Sequence, residues 1–386
     1  MKKQITIGVV RETAAGERRV ALDPETVARL TAADHDVLIE FGAGEEARFP
    51  DSAYQQASAS LATRSEIIDQ CDVLAVVHAP GADTIALLRA GQFLIGLLDP
   101  LNDPVLVAAL TQTGVTAAAF ELLPRTLSRA QSMDALSSQA SAAGYKAAVV
   151  AADSFGRYLP MMITASGTAR PANLIVIGTG VAGLQAIATS RRLGAVVTGY
   201  DVRPASRGEV ESLGARFLTS SIAEGAAAGG YARALSPEEH ELQQTELARE
   251  LVTFDIIITT AKVPGRTPPL LVSAETLTAL KPGSVCVDLA ASDLGGNVSG
   301  SVDRKTVVTA GGVSIIGAGD LAAELPTSAS AMYARNIHAL LESFTTDNQL
   351  QVDLTNDIHT AVLICHNGEV VNAQLHARRL EESLNA

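Results

Sequence analysis

Gly178, Gly180 and Gly183 stand in the run Leu-Ile-Val-Ile-Gly-Thr-Gly-Val-Ala-Gly-Leu, and an acid, Asp201, ends the next apolar run, 21 residues after Gly180. This spacing suits one task, holding a pyrophosphate. The first glycine permits a tight turn after a strand, the second lets the backbone approach phosphate oxygens, and the third lets the following helix pack closely on the sheet. Thr179, Val181 and Ala182 fill the places between them, at a helix start whose free N–H groups and dipole favour anions. Asp201, followed by Val202 and Arg203, is placed to accept hydrogen bonds from adenosine ribose hydroxyls and to repel a 2′-phosphate. That favours NAD(H) over NADP(H). Arg203 and Arg207 lie near enough in sequence to soften the preference.

Thr259-Thr260-Ala261 ends a later apolar run and precedes Pro264-Gly265-Arg266. Ligands of open α/β sheets bind beyond the carboxyl ends of strands, so Thr260 and Ala261 are candidates for the nicotinamide side, or an ordinary strand-to-loop junction. Thr219–Ser236 is a long connection rich in Ala and Gly, with Tyr231 near its end; it reads either as a lid over nucleotide or as a surface loop. A second polar group lies in Pro124-Arg125-Thr-Leu-Ser-Arg129-Ala-Gln131-Ser-Met-Asp134-Ala-Leu-Ser137-Ser-Gln139, dense in hydrogen-bonding side chains. A capped helix start accounts for it in the simplest way. His78 ends a strand pattern, where a histidine is structural more often than catalytic. Cys71, Cys286 and Cys365 match no metal spacing, and the first two open apolar runs as core thiols do.

The elements that must carry these residues follow from hydrophobic periodicity. Strands are expected at Ile5–Val10, Val37–Glu40, Val73–Val77, Phe93–Leu98 and Val115–Ala119. Asp23-Pro24 should start a helix, and Leu87-Leu88 and Leu106–Leu110 should lie on others. Residues 132–158 read as one long Ala-rich helix bridging two domains and closed by Pro160. A second alternating set has strands at Leu174–Ile177, Val196–Tyr200, Arg216–Leu218, Ile256–Thr260, Val285–Leu289, Val307-Val308 and Ser314–Ile316. Helices fall near Leu184–Leu193, Glu209–Leu213, Pro237–Leu251, Ala274–Leu280 and Ala329–Phe344, and Asn367-Gly368 reads as a hairpin turn. Strand–helix alternation of this kind predicts an α/β fold of two Rossmann-like, doubly wound parallel-sheet domains separated by a cleft. The expected division is 1–135 plus 327–386 for the first domain and 136–326 for an inserted NAD(H)-binding domain. The 386 residues, 47% of them hydrophobic, supply enough apolar material for two cores. A net charge of −13 argues against a nucleic-acid surface, which needs a basic stripe. The N-terminus enters a strand pattern without a signal-peptide core, and no apolar run is long enough to span a bilayer.

Ser128-Arg-Ala-Gln-Ser-Met-Asp-Ala-Leu-Ser-Ser-Gln139, then Ala-Gly-Tyr-Lys146, then the glycine run continuing Leu-Gln-Ala-Ile-Ala-Thr189, resemble the NAD(H)-binding domain I of the alanine dehydrogenase/transhydrogenase family. Gly16-Glu17-Arg18-Arg19-Val-Ala-Leu, Gly230-Tyr231-Ala232, Lys281-Pro-Gly-Ser284 and Asp288-Leu-Ala-Ala add to the likeness, which covers nearly the whole chain. The resemblance implies a homodimer and hydride transfer from NADH to NADP⁺ held on a separate NADP(H)-binding subunit. It further implies coupling to proton movement through a membrane subunit, and so peripheral attachment to the cytoplasmic membrane. It implies that Gln131, Asp134 and Ser137 hold the dihydronicotinamide, with Arg129 and Arg125 alongside, and that Tyr231 belongs to a mobile loop. The family pattern carries one residue between Pro-Arg and Ser-Arg-Ala-Gln where this chain has two, Thr126 and Leu127, which displaces Arg125. Hydride transfer between two nicotinamides needs no acid or base, only rings held face to face at roughly 3–3.5 Å with water excluded. Two other functions fit parts of the sequence. An alanine dehydrogenase would use Arg18 or Arg19 on a substrate carboxylate, with His78 and Asp99 at the positions of its proton-handling residues. A non-catalytic NAD-binding module would need only the glycine run and Asp201.

Overall fold

The computed structural model describes residues 4–219, 237–262 and 267–378. Two compact units divide the chain, Met1–Gln139 with Ala323–Ala386, and Ala140–Ala322.

The first unit opens with β1 (Thr6–Val9), α1 (Pro24–Ala32), β2 (Asp36–Glu40), α2 (Asp51–Gln56), β3 (Ser60–Ala62), α3 (Arg64–Gln70), β4 (Val73–His78), α4 (Ala82–Ile85), β5 (Phe93–Leu97), α5 (Pro104–Thr113) and β6 (Thr116–Ala119). Local chemistry sets these boundaries. The Asp23 carboxylate accepts the Thr26 amide at 3.0 Å ahead of Pro24, as expected, and Thr63 and Glu66 form a reciprocal capping box on α3. α4 stops at Ile85, so Leu87-Leu88 lie past it and not on a helix. There the Gln92 side chain ties Arg89 to the carbonyls of Ile68 and Cys71, which favours a turn over another helical turn.

α6 (Ala135–Ser154) is shorter than expected at both ends. Residues 128–133 form a 3₁₀ turn instead, and Asp134 caps the helix by accepting the Ser137 amide at 2.9 Å. The helix ends six residues before Pro160, where Phe155 turns into the core. The division between units falls inside α6, at residue 139.

The second unit contains the hairpin β7 (Met162–Thr164) and β8 (Gly167–Ala169), which the sequence pattern did not reveal, then β9 (Asn173–Ile177), α7 (Val181–Arg192), β10 (Val196–Tyr200), α8 (Arg207–Ser212), β11 (Arg216–Phe217), α9 (Pro237–Leu251), β12 (Ile256–Thr259), α10 (Ala274–Ala279), β13 (Val285–Asp288), β14 (Thr306–Val308) and β15 (Ser314–Gly317). The chain then completes the first unit with α11 (Pro326–Ser343), the short pair β16 (Thr345–Thr346) and β17 (Gln349–Leu350), α12 (Asp357–Val362), β18 (Leu363–His366) and β19 (Glu369–Val370). Asn367 and Gly368 join the last two strands with φ of 51° and 81°, the left-handed pair a tight hairpin requires.

Sheet order in the first unit is β19-β18-β6-β5-β4-β1-β2-β3, parallel from β3 to β6 and antiparallel at β18 and β19. In the second it is β11-β10-β9-β12-β13-β15-β14, with only β14 antiparallel. Both are doubly wound, and each sheet is covered on both faces by its own pair of apolar clusters. A parallel sheet requires that cover, and it explains why the central strands read as unbroken apolar runs. All three cysteines are buried as core thiols, and burial pushes Cys71 up to about 11 and Cys286 to about 12. Among the described residues no helix is long and apolar enough to cross a membrane.

Candidate functional site

Strand register brings the dinucleotide motif together. Ile177 pairs with Tyr200 on one side and Thr259 on the other, so Gly178, Asp201 and Thr260 leave neighbouring strands side by side. Between β9 and β12 the winding reverses, which opens a crevice at the carboxyl ends. The glycines differ in what they permit. Gly178 has φ +91°, and a Cβ there would lie 2.5 Å from the Thr260 hydroxyl. A Cβ on Gly183 would lie 1.9 Å from the Gly178 carbonyl oxygen. One on Gly180 would meet nothing within 4 Å, so the second glycine faces open space at the N-terminus of α7. Val181 beside it is exposed, while Ala182 is half-buried. A side chain at 180 would fill the cradle a pyrophosphate needs, so the arrangement fits a dinucleotide.

Asp201 is held from both sides. Its Oδ2 accepts the Thr179 amide at 2.8 Å and the Thr179 hydroxyl at 2.9 Å, and Thr179 itself is buried. Oδ1 accepts the Arg203 amide at 2.9 Å and Arg203 Nε at 3.0 Å, and Arg203 Nη2 reaches Oδ2 at 3.1 Å. Burial works against ionisation, but the donors from Arg203 and Thr179 outweigh it and hold this carboxyl below the usual range. Val202 is exposed beside it.

Thr260 and Ala261 sit at the crevice, but their polar groups brace the loops around them. The Thr260 hydroxyl donates to the Gly178 carbonyl at 2.9 Å, which fixes the glycine turn from the next strand. The Ala261 amide donates to Asn297 Oδ1 at 3.0 Å, and Asn297 Nδ2 donates to the carbonyls of Ala261 and Pro269. Asn297 is fully buried, as is Asp288, which takes the Thr259 hydroxyl and the Ala290 and Val298 amides. Sequence reasoning assigned neither residue a task. A polar pair beside a run of small residues was the available signal. Tyr231 and Pro264-Gly265-Arg266 lie outside the described residues.

In the first unit, Arg125, Asp134 and Ser137 interlock. Arg125 Nε donates to Asp134 Oδ2 at 3.0 Å, Nη2 donates to Ser137 Oγ at 2.7 Å, and the Ser137 hydroxyl donates to Asp134 Oδ2 at 2.6 Å. The extra residue in Thr126-Leu127 therefore does not remove Arg125 from the group. Burial raises the Asp134 pKa less than the bonds from Ser137 and Arg125 lower it, so Asp134 stays a carboxylate. Gln131 is exposed on the preceding 3₁₀ turn. Arg129 is turned to another partner, an ion pair with Asp357 at the start of α12.

A second charged group lies where the first unit's sheet reverses, between β1 and β4. Arg19, 1% exposed, makes a two-point pair with Glu17, with Nε to Oε1 at 2.8 Å and Nη2 to Oε2 at 2.6 Å. Its Nη1 donates to Gln139 at 2.8 Å, and His78 Nε2 lies 2.7 Å from Glu17 Oε2. Burial lowers the His78 pKa, yet Glu17 more than compensates and leaves it raised. Burial likewise opposes Glu17, but Arg19 and His78 hold it far below the usual carboxylate range. Asp99, with φ +47°, accepts both bonds from Asn102 in a turn.

Family models match the chain almost end to end: "Alanine dehydrogenase/PNT, N-terminal domain" over residues 8–143 and "Alanine dehydrogenase/PNT, C-terminal domain" over 147–373. A Rhodospirillum rubrum protein, named as the first section of a divided NAD(P) transhydrogenase subunit alpha, is 40% identical over 380 residues, 96% of this chain and 98% of that one. The crystal structure of a transhydrogenase from Sinorhizobium meliloti superposes with a TM-score of 0.86 at 40% identity, covering 95% of this chain and all of the other. An alanine dehydrogenase from Mycobacterium tuberculosis is 32% identical over 305 residues, 76% of this chain and 74% of its own.

Proposed function

Because the chain belongs to the alanine dehydrogenase/PNT family, we propose that it is the NAD(H)-binding component of a proton-translocating, Re/Si-specific NAD(P) transhydrogenase. It acts as a homodimer with an NADP(H)-binding subunit and a membrane subunit, which hold it at the cytoplasmic face of the membrane. Bound NADH supplies the hydride, and NADP⁺ on the partner subunit receives it. The start of α7 binds the pyrophosphate through its amides, with Gly180 leaving room for it. Asp201 accepts the adenosine ribose. Gln131, Asp134, Ser137 and Arg125 orient the nicotinamide carboxamide and keep it from turning, and Tyr231 closes over the bound nucleotide.

The observation that carries this proposal is the Arg125–Asp134–Ser137 set with Gln131 exposed beside it. Asp134 is held ionised, so the set offers oriented donors and acceptors without a group poised to carry a proton. That suits a reaction in which the reacting carbons exchange hydride alone. Of the two arginines an amino-acid dehydrogenase would use, Arg18 lies 3.6 Å from Glu46 beside a cavity, and the alternative is weakened for Arg19. Its guanidinium is committed to Glu17 and Gln139 and has no fork left for a substrate carboxylate.

Stopped-flow hydride transfer with a transhydrogenase NADP(H)-binding domain tests the proposal. NADH oxidation should require the NADP⁺-loaded partner and should not occur when pyruvate and ammonia replace it. Gln131→Asn should slow transfer at saturating NADH far more than it raises the NADH dissociation constant. Equal losses would show that Gln131 binds nucleotide without positioning it.

A further inference from the structure

We propose that the Arg203 guanidinium is a displaceable cap on Asp201, and that it limits how strongly this chain prefers a dinucleotide with a free ribose over one with a 2′-phosphate. The cap presupposes that Asp201 is the ribose acceptor. An ionised carboxylate offers about four lone-pair sites. Asp201 already receives five donors: the Thr179 amide and hydroxyl, the Arg203 amide, and Nε and Nη2 of Arg203. Three of these belong to the glycine turn and the strand end. The other two come from one long side chain and fall one on each oxygen, Nε on Oδ1 and Nη2 on Oδ2. A vicinal ribose diol would make the same two-point contact, one hydroxyl to each oxygen. The guanidinium therefore takes the place of the diol, and ribose can bind only as it leaves.

Burial shows which partner moves. The Asp201 side chain is 7% exposed and that of Arg203 is 63% exposed. Thr179 pins the carboxylate, while the arginine is free to rotate into solvent. Two effects follow for binding. Breaking the pair subtracts from NADH affinity. The displaced guanidinium cannot lose its proton and stays tethered two residues from Asp201, so it offsets the carboxylate's repulsion of a 2′-phosphate. On both counts Arg203 dilutes a selectivity that Asp201 alone would make sharper.

Calorimetric titration of the full chain with NADH and with NADPH decides the matter. Arg203→Ala should bind NADH about two- to fivefold more tightly, the range an exposed ion pair commands. It should bind NADPH more weakly, so that the NADH-to-NADPH preference widens by more than the NADH gain alone. Arg203→Lys keeps the charge and loses the two-point fork, so it should gain NADH affinity while NADPH binding is retained. A gain in affinity is a readout that misfolding cannot imitate. If Arg203→Ala binds NADH no more tightly than the parent chain, or leaves the preference unchanged, the cap is overturned. If the parent itself prefers NADPH or binds neither nucleotide, the assignment of Asp201 fails and the cap fails with it.

Discussion

Asp201 and Asp134 are both largely buried carboxylates held ionised by an arginine and a hydroxyl, yet they stand in different surroundings. Asp201 ends a strand next to the glycine turn and is fixed by Thr179. Asp134 caps α6 and is tied to Arg125 and Ser137. Removal should therefore separate binding from turnover. Asp201→Ala should raise the NADH dissociation constant by about tenfold or more, since hydrogen bonds to a charged group are worth roughly 1.5–3 kcal/mol. Its transfer rate at saturating NADH should stay close to that of the parent. Equilibrium titration beside single-turnover transfer measures both, and a large fall in the saturated rate would mean that Asp201 also sets ring geometry. The placement of Asp201 at a strand end and of Asp134 at a capped helix start was legible in the sequence, because local motifs fix residue type and spacing. Their partners were not. Nothing in the order of residues shows that Arg203 folds back on Asp201 or that Arg129 turns to Asp357, since such choices depend on side-chain rotamers and packing.

Turns and helix ends show the same split between what is local and what is not. The boundaries read correctly, at Asp23-Pro24, Pro237–Leu251 and Asn367-Gly368, are those where one or two residues dictate φ or satisfy an amide. The errors fall where distant contacts decide. α4 is cut short by Gln92, and the start of α6 is delayed by a 3₁₀ turn whose Ser132 carbonyl accepts Asn336 from α11 at 2.8 Å. The glycine loop turns this distinction into a measurement. Gly180→Ala points a methyl into open space, so its melting temperature should match the parent, while NADH affinity falls several-fold as the phosphate is held off. Gly183→Ala drives a methyl against the Gly178 carbonyl and should destabilise the chain by about 1–3 kcal/mol, the usual cost of overpacking. Thermal melts and NADH titrations of the two variants should give opposite patterns. Matching losses of stability would remove the case for Gly180 as the phosphate seat.

The two units share a doubly wound plan but line their switch points differently. In the second unit the crevice between β9 and β12 is left open at Gly180. In the first, Glu17, Arg19 and His78 bind one another at the corresponding place between β1 and β4, and Glu17 and Arg19 line a cavity of about 340 Å³ there. That internal group ties overall stability to pH, with signs that follow from its shifts. Glu17 is lowered from 4.5, so its contribution is complete above about pH 4.5 and is lost as pH falls toward its folded pKa. His78 is raised from 6.5, so its contribution is complete below about pH 6.5 and is lost as pH rises through its folded pKa. Glu12 beside them is raised mainly by burial, and it too destabilises the fold as it ionises with rising pH. The Glu17–His78 pair therefore stabilises most between about pH 4.5 and 6.5, while the Glu12 contribution is complete below about pH 4.5 and is lost as pH rises through its folded pKa. Glu17→Gln would leave the Arg19 guanidinium buried without its carboxylate, a loss of about 3–5 kcal/mol at pH 6. It would also take from His78 the partner that raises its pKa, so the decline from pH 6 to 8 should flatten. Urea unfolding of parent and variant across pH 5–8 measures both effects. A variant whose midpoint shifts but whose slope with pH matches the parent would mean that His78 does not titrate against Glu17.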